Sequence, residues 1–154
     1  MYSRAETSQI KQEFWTALGK YLSPIFSSVG EKVNWINYKT GFKYIQFTME
    51  AETDKALISI VISPPEMSTR HLYWSKFKEL EGLFTAILEE QWIWEENISL
   101  NGKQISRIYK ELKGINILNK NDWPEIISFF KPRIIRLDSF WNETMLLFEE
   151  FKYL

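Results

Sequence analysis

The side chains of this chain that could do acid–base, metal or nucleophilic chemistry are few and scattered. His71 is the single histidine, and there is no cysteine. A Ser–His–acid triad needs base and nucleophile in contact and an orienting acid, and no G-x-S-x-G nucleophile elbow occurs. Beside Arg70 at an expected helix start, His71 reads as a surface or boundary residue. The absence of cysteine excludes disulfides, thiolate zinc sites and cysteine nucleophiles. Metal binding by one histidine would need a carboxylate cluster, and Glu89, Glu90, Glu95 and Glu96 are the densest one. Divided between a helix end and a strand, these glutamates diverge and read as a solvated rim. The six glycines form neither a G-x-G-x-x-G nor a Walker pattern that would cradle phosphate. The expectation is therefore no catalytic set, no metal ligands and no cofactor.

A second constellation suits binding. Asn101-Gly102 lies between two strand-like runs, and Asn-Gly is the strongest short hairpin signal because a type I′ turn needs positive φ at both central residues. Counting outward, Leu100 faces Lys103, Ile98 faces Ile105, Glu96 faces Arg107 and Trp94 faces Tyr109, with Trp92 beyond. One face then combines Trp92, Trp94 and Tyr109 with Arg107, and Lys103 stands near the tip. Aromatic platforms beside bases are what single-stranded nucleic acid binds, by stacking and phosphate contact. Lys110, on the opposite side beside Ile93, makes bases and aromatics only partly co-facial. An aromatic face packed under a helix is the plainer expectation.

Charge along the chain is uneven. Six acids and no base lie between Glu79 and Glu96, whereas eight bases and three acids lie between Asn101 and Arg136. These runs read as two solvated faces, with a basic ligand-binding face as the alternative. The whole chain carries a net charge of −1 and gives nucleic acid no global attraction. Its 154 residues suit one globular domain over 1–154, and an aromatic content of 16 % suits a dense core. No apolar run approaches the length of a membrane span and no signal-peptide core is present, so a cytoplasmic location is expected.

The elements that must hold these residues can be read in order. Ser3 and Glu6 are spaced for a capping box, followed by Ile10, Phe14, Leu18 and Leu22 at helical intervals. Three strands are expected at Asn34 to Lys39, Phe42 to Glu50 and Ala56 to Ile62, the last almost wholly apolar and therefore central. Pro64-Pro65 closes the sheet segment, and Ser68 or Thr69 is placed to cap a helix reaching about Glu90. Its expected apolar stripe is Leu72, Phe77, Leu80, Leu83 or Phe84, and Ile87. After the hairpin, Asp122-Trp123-Pro124-Glu125 opens another helix, and Pro132 should break or kink it near Phe130. A last helix turns Ile134, Leu137, Trp141, Met145, Phe148 and Phe151 inward. The expected fold is α+β, with a mainly antiparallel sheet of about five strands (a three-stranded meander plus the Asn-Gly hairpin) and flanking helices. The expected order is α-βββ-α-ββ-αα.

Helix, three strands, helix, strand is also the core order of restriction-endonuclease-like enzymes, which bind Mg²⁺ through an acid on one strand and an acid-x-Lys triplet on the next. Ala56 to Ile62 contains neither acid nor lysine, and Glu52, Asp54 and Lys55 sit in a turn. A core of that kind would lack its catalytic acids.

The phrases Leu72-Tyr73-Trp74-Ser75-Lys76-Phe77, Trp92-Ile93-Trp94-Glu95-Glu96-Asn97, Ile105-Ser106-Arg107-Ile108-Tyr109 and Asp122-Trp123-Pro124-Glu125-Ile126 carry a resemblance. Over roughly residues 5 to 150 the chain resembles a bacterial family catalogued as a domain of unknown function. Its members occur free-standing or C-terminal to nuclease-like and restriction-type modules. The resemblance implies a bacterial cytoplasmic domain and transfers no catalytic residue. The leading expectation is a non-enzymatic interaction or accessory module, with a protein partner or self-association and no membrane contact. The alternative is a nucleic-acid-binding domain using Trp92, Trp94, Lys103, Arg107 and Tyr109.

Overall fold

The computed structural model describes residues 2–154. Four helices and four strands alternate as α1 (Arg4–Leu22), β1 (Ile45–Ala51), β2 (Lys55–Ile62), α2 (Met67–Glu79), α3 (Glu81–Leu88), β3 (Ile93–Leu100), β4 (Lys103–Lys113) and α4 (Trp123–Thr144). A long 3-10 segment, Met145–Tyr153, ends the chain. The strands form one antiparallel sheet in the order β1-β2-β4-β3.

The fold is α+β, but the expected five strands and α-βββ-α-ββ-αα order are corrected to four strands in the order α-ββ-αα-ββ-α. Residues 34 to 39 form no strand. The Asn34 side chain accepts from the Asn37 amide and winds Trp35–Asn37 into a 3-10 turn, while the Trp35 indole donates to the Ile25 carbonyl at 2.9 Å. Such side-chain bonds offer the backbone an alternative to a ladder. β1 starts at Ile45 because the chain first turns through Gly41, at φ +84°, and around the buried Thr40 hydroxyl.

The single helix expected after Pro65 is two. Leu80, at φ −97° and ψ 6°, ends α2 and begins α3. α2 starts at Met67 without a side-chain cap and buries Tyr73, Trp74 and Phe77, leaving Leu72 half exposed. Pro132 lies inside an unbroken α4. Its ring removes one interior hydrogen bond, the one whose acceptor would be the carbonyl of exposed Ser128. Phe129, Phe130, Ile134 and Leu137 are buried on both sides of it. Burying each such side chain contributes about 1.5–3 kcal/mol, enough together to hold a helix through one missing bond.

The main core lies between one face of the sheet and the helices. Ile45 and Phe47 from β1, Ile58, Ile60 and Ile62 from β2 and Ile108 from β4 meet Phe14, Phe77, Phe84, Phe140 and Trp141. The Ser3–Glu6 capping box forms as expected, and Glu6 N–H donates to Ser3 Oγ at 3.1 Å.

Candidate interaction surface

Alternation along β2 and β4 sets a second face opposite that core. Across the four strands it carries one row of Gln46, Val61, Arg107 and Glu95, and a second of Thr48, Ser59, Tyr109 and Ile93. A third row is Glu50, Leu57 and Glu111. Leu57, Ile105 and Tyr109 are buried but stand apart from the helical core. The Arg107 guanidinium lies over Tyr109, 4.1 Å from its ring centre, and is held by Glu95 at 2.8 Å. Ile93 remains 45 % exposed beside them. Glu50, Glu95 and Glu111 stand over this face with Lys55, Arg107 and Lys113, and Lys103 at its hairpin end leaves one base in excess.

The hairpin turn is as expected, with Asn101 at φ +51° and Gly102 at φ +78°. Pairing holds from Leu100–Lys103 to Ile98–Ile105 and then slips by one residue at a bulge between Glu95 and Ile98. Beyond it Glu95 faces Arg107, Trp94 faces Ile108 and Ile93 faces Tyr109. A one-residue slip sends every later side chain to the other face. The expected co-facial set is therefore divided. Trp94 lies on the core face, edge-on to Trp74 at 5.6 Å and Phe84 at 5.8 Å. Trp92 is buried, packs on Phe84 and donates its indole N–H to Glu90 at 2.8 Å. Arg107 and Tyr109 stay on the helix-free face, and exposed Lys103 stands beside the turn.

The bulge is fixed by residues that strand counting passes over. Asn97 adopts φ +56°, a left-handed conformation that asparagine tolerates better than most residues. Its side-chain oxygen accepts from Arg70 Nε at 3.1 Å and Nη2 at 2.9 Å, and its N–H donates to Ser106 Oγ. Arg70 is buried, and Nη1 also donates to the Pro64 and Pro65 carbonyls. Sequence parity gave no warning, because Trp92, Trp94, Ile98 and Leu100 all fall on even positions. The one legible sign was an asparagine where a bulge could use it.

Next to this clamp, His71 Nδ1 lies 2.7 Å from Glu96 and its Nε2 lies 3.4 Å from Ser75 Oγ. The connectivity is that of a serine, a base and an orienting acid. Ser75, however, sits within α2, where backbone N–H groups bond to carbonyls one turn back and do not face a developing oxyanion.

The two charge runs meet each other. Arg133 holds Glu90 through Nε and Nη2, both at 2.9 Å, Arg136 pairs with Glu89 at 2.9 Å, and Arg107 pairs with Glu95. Burial pushes the Glu90 carboxyl up, but its bonds to Arg133 and to the Trp92 indole, with the charges of Arg133 and Lys110, hold it below the usual range. Lys110 donates to the Gln91 carbonyl.

Asp138 on α4 is the one buried acid among the described residues. It accepts from Tyr38 Oη at 2.6 Å, the Ser28 amide at 2.8 Å and Asn142 at 3.2 Å, at the base of a cleft of about 660 Å³. Burial, and then the bond to Asp138 and its charge, raise the Tyr38 hydroxyl far above its ordinary value of 10.0. Its partners come from residues 28 and 38, a separation that spacing along the chain does not reveal. Among the described residues no group of three metal-binding side chains occurs. No helix among them is long and apolar enough to cross a membrane.

No curated protein and no solved structure matches this chain. A family model described as a domain of unknown function, DUF4268, matches residues 10–145. Covering most of the 154 residues, that match places the chain in this family: it is a member of DUF4268.

Proposed function

We propose that this domain is a non-enzymatic interaction module and that the helix-free face of its sheet receives a protein. The observation that carries the reading is that this face is apolar at its centre and carries acids and bases in nearly equal number around it. Val61 and Ile93 stay accessible beside buried Leu57 and Tyr109, among three acids (Glu50, Glu95, Glu111) and four bases (Lys55, Lys103, Arg107, Lys113). Protein interfaces combine an apolar, aromatic-rich centre with a polar rim. The strongly bonded polar groups inside the fold serve the fold itself: Arg70 holds the bulge, Asp138 the 27–38 segment, and Glu90 the α3–α4 junction. Among the described residues, no buried side-chain nitrogen or oxygen lacks a partner. The setting proposed for the module is a bacterial cytoplasm, as an accessory domain beside nuclease-like or restriction-type modules or as a free-standing protein.

The nucleic-acid reading draws less support. Trp92 is buried, Arg107 is neutralised by Glu95, and Trp94 and Tyr109 stand on opposite faces. A titration of tryptophan fluorescence with single- and double-stranded DNA and RNA at about 50 and 200 mM salt separates the readings. The interaction reading expects no change at either salt. Saturable quenching that weakens with salt and disappears in Lys103→Glu/Arg107→Glu would overturn it.

A further inference from the structure

We draw no further inference here: the strongest candidate, the outer edge of β1, where among the described residues no bond reaches the outward backbone groups of Phe47, Met49 or Ala51, already has its Ile45 carbonyl taken by the Thr40 hydroxyl, and nothing in the structure shows what covers the rest.

Discussion

The guanidinium of Arg133 meets the carboxylate of Glu90 in a two-pronged bond, Nε to Oε2 and Nη2 to Oε1, both at 2.9 Å. It fastens α4 to the end of α3 and, through the Trp92 indole, to the start of β3. Because the Glu90 carboxyl is held below its ordinary value of 4.5, the folded state favours its ionised form. That stabilisation is complete above the unfolded value and is lost as pH falls through the folded one. Glu90→Gln is expected to lower stability at neutral pH by about 1–3 kcal/mol and to flatten the acid limb of the curve below about pH 4.5. Urea unfolding of both proteins over a pH series measures this.

Asn97 serves two roles that substitution can separate. Asn97→Gly and Asn97→Ala both remove the acceptor for Arg70, but only alanine adds the strain of a Cβ at φ +56°. A left-handed residue with a Cβ costs roughly 1–2 kcal/mol, so Ala is expected to be the less stable of the two by that margin. Equal stabilities in thermal or urea unfolding would mean the bulge relaxes when its asparagine is lost.

Pro132 withholds a hydrogen bond in the middle of α4. Pro132→Ala is expected to restore it and to raise stability by about 1–3 kcal/mol, somewhat offset by a more flexible unfolded chain. The change should appear as a higher urea midpoint with the slope unaltered.

At alkaline pH the relevant group is Tyr38. Its raised hydroxyl keeps its proton in the folded state, where it donates to Asp138. That contribution is present below the unfolded value of about 10 and is lost as pH rises above it. Tyr38→Phe should be less stable at neutral pH by about 1–3 kcal/mol, having left a buried carboxylate short of a donor. The gap between the two proteins should narrow above about pH 10.

Local signals carried over from sequence to structure where the local chemistry was decisive. The Ser3–Glu6 box, the Asn101-Gly102 turn and the central place of Ala56 to Ile62 all depend on residues close in sequence. The failures have local and tertiary causes. Asn34 capped a 3-10 turn where a strand was expected, and Pro132 was overridden by buried aromatic neighbours. At the candidate surface a single bulge, fixed by an arginine 27 residues away, separated Trp94 from Tyr109. The two charge runs were visible in the sequence, but their pairing across α3, β3, β4 and α4 was not. Opposite runs sharing one chain can neutralise each other before any ligand is present.

The most direct test of the interaction account places a photo-crosslinking amino acid at position 93 on the helix-free face, and separately at exposed position 146 on the C-terminal 3-10 segment. The account predicts a defined protein adduct from position 93, lost when Val61→Glu is added, and absent from position 146. The same adducts from both positions, or nucleic acid in place of protein at position 93, would contradict it.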